Sequence, residues 1–214
     1  PSKFLATAAD RRSFSGGSDA EYYKNAVLQK KALIAKLNKA NYDKVASNEN
    51  VEVLDGLASF KDEHTVQVMN GSEVSEVYAE RIFVNTGARP FIPSVPGLEV
   101  GRRIHTSETL MDLEEFPKSL AILGSGFIGL EFAASYAKFG TKVTIIDQGD
   151  RILPREDEDV AKEVFSSYQA MGVDFLFHAA LNQVTQDEKA VHLSYTVNGE
   201  KKELSVEAFL VATG

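Results

Sequence analysis

The sequence predicts an α/β fold made of tandem doubly wound, Rossmann-like domains, each with a β-meander, the first of them truncated. Three observations predict it. An apolar segment at 120–123 runs into Gly124-Ser-Gly126-Phe-Ile-Gly129, then a helical pattern, a second apolar segment and an acid, Asp147. Two polar hairpins each feed an apolar segment that ends in Thr-Gly. Apolar runs alternate with helical periodicity through the second half, as in a parallel sheet with helices over it.

Taken in chain order, residues 19–40 read as a helix, with Tyr23, Ala26, Val27, Leu33, Ile34 and Leu37 on an apolar stripe and lysines opposite. Strands are expected near 51–54, 65–69, 76–78 and 82–85. The link 88–97 carries Pro90, Pro93 and Pro96, and three missing donors exclude it from sheet interior. It is expected to cross between domains. After the glycine turn, Ile128, Phe132, Tyr136 and Phe139 recur at helical spacing, and Gly140 ends the run. A second helix is expected over 157–171 and a strand over 173–177. The charge run 155–159 reads as a solvated helix start, where acids suit the dipole.

The turn carries the chemistry. Gly124 makes the tight bend, Gly126 lets backbone approach a pyrophosphate, and Gly129 lets helix and strand pack closely. Unpaired N–H groups at the helix start favour the anion. Asp147 lies 18 residues after Gly129 (147 − 129), near the spacing of an acid that accepts from adenosine ribose hydroxyls. A carboxylate there favours NAD and repels the 2′-phosphate of NADP. Arg151 blunts that preference if it turns toward such a phosphate; otherwise it solvates its loop.

The hairpins form an internal repeat. Asn70-Gly71 leads to Thr86-Gly87, and Asn198-Gly199 leads to Thr213-Gly214, the second glycine standing 16 and 15 positions after the first (87 − 71 and 214 − 199). Such Asn-Gly signals between alternating strands mark hairpins, and their recurrence suggests two homologous dinucleotide domains. Only the second has a βαβ unit upstream. The expected division is therefore 1–115, a partial dinucleotide-binding domain lacking its first βαβ unit, and 116–214, a complete one. The chain is expected to be a fragment of a longer enzyme.

Composition sets looser bounds. With 214 residues, 43% of them hydrophobic, the chain can bury a core, and a net charge of −8 argues against a nucleic-acid partner. No apolar run is long enough to span a bilayer and no secretory leader is evident, so no membrane partner and a cytoplasmic setting are expected. There is no cysteine, which excludes disulfides and thiolate metal sites from this polypeptide. His64, His105, His178 and His192 form no ligand-like cluster. Each is expected on a strand or loop surface, and no metal site is assigned.

Four motifs together resemble a known family: Gly124-Ser-Gly-Phe-Ile-Gly-Leu-Glu131-Phe-Ala, Leu54-Asp-Gly56-Leu-Ala58-Ser-Phe60, Asn85-Thr-Gly-Ala-Arg-Pro90 and Ala212-Thr-Gly214. They are similar to those of the class I pyridine nucleotide-disulfide oxidoreductases, flavoproteins that include dihydrolipoamide dehydrogenase, glutathione reductase and mercuric reductase. Ile152-Leu-Pro-Arg-Glu-Asp157 adds a similarity to the bacterial reactive-chlorine-resistance branch. In that family Pro-(Ser/Thr)-Lys closely follows the redox Cys-x4-Cys pair, and this chain opens Pro1-Ser2-Lys3.

The resemblance implies a relay from NAD(P)H through FAD to a redox disulfide whose cysteines lie outside this chain, and an isolated fragment without that activity. It implies FAD for the domain 1–115 and NAD(P) for 116–214, with NAD contacts at Gly124, Gly126, Phe127, Ile128, Gly129, Glu131, Asp147, Leu181 and Gly214. FAD contacts fall at Lys3, Ala58, Thr86, Gly87 and Ala88. Lys3 and Glu131 resemble the ion pair beside flavin N5, a supporting catalytic pair. Phe127 stands where many members have a gating tyrosine, which leaves gating by shape and removes any hydroxyl role. The implied substrate is a small molecule or disulfide, and the implied parent is a homodimer. Two alternatives stay open: a flavin-dependent NADH dehydrogenase or oxidase without a redox disulfide, and an inert nucleotide-binding module.

Overall fold

The computed structural model describes residues 19–214, which fall into two compact units. The larger holds the described residues up to Ala32 together with Pro90–Gly214; the smaller is Leu33–Arg89.

The larger unit is built on five parallel strands: β4 (Ile104–His105), β5 (Ser119–Leu123), β6 (Lys142–Ile146), β7 (Asp174–Leu176) and β11 (Ala208–Val211). Their order is β4-β11-β5-β6-β7, and every pairing is parallel. Strands so placed must be apolar on both faces. Leu120 and Ile122 of β5 face one core with Phe132, Ala133, Tyr136 and Phe139 of α3 (Phe127–Phe139) and Ala161 of α4 (Glu158–Ala170). Ala121 and Leu123 face the other way, into a second core with Leu181, Val184, Leu193, Tyr195 and Val206. Those come from an antiparallel meander of β8 (Ala179–Gln186), β9 (Val191–Val197) and β10 (Glu200–Val206). Helices thus cover one face of the parallel sheet and the meander the other.

Helix α1 spans Asp19–Ala46, six residues past the expected end, and α2 is the short helix Ser107–Leu110. Only the first part of its apolar stripe is buried: Tyr23, Ala26 and Val27 join the helix-side core, whereas Leu33 and Leu37 are 40% and 51% exposed. The Tyr23 ring packs against Phe116, Tyr136 and Phe139. Its hydroxyl lies 2.8 Å from that of Tyr136 and donates to Leu113 O at 2.8 Å. Lys30 is buried on the same side, with Nζ donating to Met111 O at 2.7 Å and to Asp112 Oδ1 at 2.6 Å. A buried ammonium paired in this way replaces its lost water contacts.

In the smaller unit β1 (Leu57–Phe60), β2 (Thr65–Asn70) and β3 (Glu73–Tyr78) form an antiparallel meander. The strands expected at 51–54 and 82–85 are absent. The first is replaced by a turn in which Val51 N donates to Asn48 O, and pairing starts only at Leu57. The second is apolar enough, but no ladder partner for it exists among the described residues, and Phe83 and Val84 stand 90% and 67% exposed. Apolar character without a neighbouring strand does not make a sheet.

The two hairpins explain the one-residue difference in their spacing. In the β2–β3 turn Asn70 pairs with Glu73, so Gly71, at φ 60°, is the first turn residue. In the β9–β10 turn Val197 pairs with Glu200, and Asn198 and Gly199 both take positive φ, the type I′ arrangement. Counted from the first turn residue, both copies reach their Thr-Gly glycine after 16 residues (87 − 71 and 214 − 198).

The passage from the smaller unit to the larger falls at Arg89–Pro90, inside the proline link, and one further expectation, for His105, is corrected. From Pro90 onward the proline link is part of the larger unit: Phe91 N donates to Gly214 O at 2.9 Å, Val184 N to Pro96 O at 2.9 Å, and Ile92, Val95 and Leu98 pack on the meander-side core. Its prolines do keep it out of the sheet. His105, expected on a surface, is 6% exposed, because the short β4 carries it into the sheet beside β11. Burial and the neighbouring Arg103 lower its pKa. The other three histidines are exposed.

Candidate functional site

A cleft of about 730 Å³ opens at the carboxyl ends of the parallel strands, lined by Leu123 from β5, Ile146 and Asp147 from β6, and 212–214 after β11. This is where open α/β sheets bind ligands. It gathers seven residues named from the sequence: Gly124, Gly126, Phe127, Ile128, Asp147, Leu181 and Gly214. Gly129 stands behind the turn, and Glu131 is exposed further along α3, outside the lining. Ala58, Thr86, Gly87 and Ala88 are exposed residues of the smaller unit. Lys3, and with it the Lys3–Glu131 pair, lies outside the described residues.

The turn is shaped by contacts that only glycine permits. Gly124 sits at φ 106°, and a β-carbon there would come within 2.5 Å of Ala212 O. Gly126 is the N-cap of α3 and offers no side chain to the first-turn N–H groups. A β-carbon on Gly126 would meet nothing within 4 Å, so the space before the helix start is open. Exposed donors, a helix dipole and open space are what an anionic pyrophosphate requires.

Asp147 stands at the end of β6 and is already engaged. Its Oδ2 accepts from Ser125 N at 2.7 Å and Ser125 Oγ at 2.6 Å, and its Oδ1 from Gly149 N at 2.7 Å. Ser125 is 1% exposed. Its carbonyl accepts from Leu153 N at 3.2 Å, so the turn also holds the loop that walls the cleft. Leu153 adopts φ 46°, a left-handed conformation that bulky residues rarely take. Strain of this kind collects at functional sites.

Of the two readings of Arg151, the structure fits the one in which it serves its own loop. Arg151 donates from Nη2 to Pro154 O at 3.0 Å, bracing its own loop, and does not line the cleft. Arg155 does, and is the only lysine or arginine among the described residues that line it. Sequence reasoning missed Ser125, Leu153, Pro154 and Arg155. The middle residue of the glycine turn was a usable signal for Ser125, and the family-like motif at 152–157 was one for Leu153, Pro154 and Arg155.

A smaller hollow of about 350 Å³ is lined by Arg102, Arg103, His105, Phe116 and Glu207 among others. Arg103 there donates to Glu188 O and Glu207 O, and Glu207 Oε2 accepts from Lys118 N, so these groups serve the fold. Among the described residues no three His, Cys, Asp or Glu side chains converge as a metal site, and no helix is long and apolar enough to cross a membrane.

The sequence matches the pyridine nucleotide-disulphide oxidoreductase family over residues 1–214. It is 35% identical over 189 residues to the probable pyridine nucleotide-disulfide oxidoreductase RclA of Escherichia coli K12, covering 88% of this chain and 42% of that protein. It is 31% identical to dihydrolipoyl dehydrogenase of Geobacillus stearothermophilus, covering 88% and 40%. The solved Cu(II) complex of the HOCl-induced flavoprotein disulfide reductase RclA from Escherichia coli superposes with a TM-score of 0.88 at 33% identity, over 100% of this chain and 46% of that one. The chain therefore spans less than half the length of these relatives.

Proposed function

The chain belongs to the pyridine nucleotide-disulphide oxidoreductase family, and from that premise we propose that it is the nucleotide-handling part of an FAD-dependent enzyme. That enzyme passes electrons from NAD(P)H to a redox disulfide carried outside this chain. The carrying observation is the uncapped start of α3, which opens into a cleft with Asp147 at the next strand end.

In this reading the first-turn N–H groups at 126–129 hold the pyrophosphate, and Asp147 accepts from the adenosine ribose, which favours NADH over NADPH. Leu181, 8% exposed, and Leu153 give the cleft apolar walls that keep water from the bound nucleotide. Phe127, 64% exposed at the cleft, gates by shape with no hydroxyl to donate. Gly214 ends the lining where Thr-Gly follows β11. Ala58, Thr86, Gly87 and Ala88 face FAD, and Lys3 with Glu131 supports the flavin. When bound, the flavin supplies the two-electron link between nicotinamide and disulfide. The parent is proposed to act on a small-molecule or disulfide substrate, a disulfide being what the names of its relatives print, and the family resemblance extends the proposal to a cytoplasmic homodimer.

The chain has no tryptophan, so the fluorescence of reduced nicotinamide reports binding with little protein background. Titration of the 214-residue chain with NADH should give saturable enhancement that NAD competes away. A linear response at all concentrations would remove the basis for the proposal.

A further inference from the structure

We propose that Ser125 is a positioning residue that holds Asp147 so that its carboxylate accepts one ribose hydroxyl of the nucleotide and not two. The inference rests on the reading of the cleft as a dinucleotide site and deepens it.

A carboxylate offers about four acceptor positions, two on each oxygen. Ser125 fills both on Oδ2, through its backbone N–H at 2.7 Å and its hydroxyl at 2.6 Å. Gly149 N fills one on Oδ1 at 2.7 Å. One position remains. An adenosine ribose presents two donors, the 2′- and 3′-hydroxyls, so Asp147 meets one and the other must look elsewhere. The hydroxyl bond matters beyond the count. Oδ2 is tied at two points of one residue, and Oδ1 at a third point on the opposite side, so the carboxylate plane is fixed before any ligand arrives. Charge-assisted bonds this short hold geometry well. Ser125 itself is locked, because its side chain is buried and its carbonyl carries Leu153 N. Alanine at this position keeps the backbone bond and removes only the hydroxyl, which frees the carboxylate to turn and opens a second acceptor position.

The test compares 2′-deoxy-NADH and 3′-deoxy-NADH with NADH on the 214-residue chain, for wild type, Asp147→Ala and Ser125→Ala, with melting curves to verify folding. Wild type should lose on the order of tenfold or more in affinity for one deoxy analogue and bind the other like NADH. Asp147→Ala should bind both analogues equally. Ser125→Ala should narrow the difference between them, a ratio that a general loss of stability would not move. Equal losses for both analogues in wild type, or an unchanged ratio in a folded Ser125→Ala, would overturn the proposal. Wild type that fails to bind NADH would overturn the reading of the cleft itself, and the proposal with it.

Discussion

The carbonyl oxygen of Gly124 occupies the space that a β-carbon on Gly129 would need. The first turn of α3 can therefore lie against the glycine bend only while position 129 has no side chain. Gly126, three residues earlier, has open space where its β-carbon would be. The two glycines serve different ends, and substitution separates them. Gly129→Ala forces backbone apart and should cost about 1–3 kcal/mol as overpacking does, read as a lower melting temperature. Gly126→Ala should melt close to wild type yet bind NADH more weakly, because its methyl enters the space before the helix start. Equal melting of the two variants would contradict this division.

Asp147→Ala should weaken NADH by about 1.5–3 kcal/mol, the usual value of hydrogen bonds to a charged group. NADPH should change less, since its 2′-phosphate gains nothing from a carboxylate. The variant should also lose some stability, because Ser125 N and Gly149 N lose their acceptor. Equal affinities for both nucleotides before and after the change would refute it.

Burial pushes the Tyr23 hydroxyl up to about 12, and burial also raises that of Tyr136. In the unfolded chain these phenols ionise near 10. The contribution of Tyr23 is intact below pH 10 and is lost as pH rises from about 10 toward about 12, because the unfolded state then binds fewer protons; that of Tyr136 is lost in the same direction. For Tyr23 the full effect is on the order of 2–3 kcal/mol. Urea midpoints between pH 9 and pH 12 should fall less steeply for Tyr23→Phe than for wild type; parallel curves would count against the assignment.

His105 acts at the other end of the pH scale. Burial and Arg103 hold its pKa below the usual 6.5, and Nε2 has no partner among the described groups. The unfolded state thus takes up a proton that the folded state resists, and stability present above 6.5 is lost as pH falls below it. His105→Leu should flatten the fall in urea midpoint between pH 7 and pH 5. An unchanged slope would show that other groups govern acid sensitivity.

Much of this was legible in the sequence where local chemistry decides. The strand, glycine turn, helix, strand and acid order at 120–147 holds because each element is specified by its own residues. The two hairpins are equally local, although only the second turns on Asn-Gly itself; in the first Asn70 is still paired and the turn is Gly71-Ser72. What the sequence hid depends on distant partners. Leu33 and Leu37 continue the stripe of Tyr23 and Val27, and nothing in the periodicity shows that burial stops between them. Phe83 and Val84 read as a strand, but pairing needs a neighbour. Arg155 was read as part of a solvated helix start, and it lines the cleft on the loop whose Leu153 N donates to Ser125 O. Of the bonds on Asp147, the one from Ser125 Oγ follows from that side chain's rotamer and those from Ser125 N and Gly149 N from the path of the backbone, neither of which a spacing rule reports.

A crystal structure of the chain soaked with NADH tests the central claim most directly. The pyrophosphate should lie on the N–H groups at the start of α3, beside Gly126, with the adenosine ribose reaching Asp147. Nucleotide bound elsewhere, or a cleft at 124–129 left empty at saturating NADH, would contradict it.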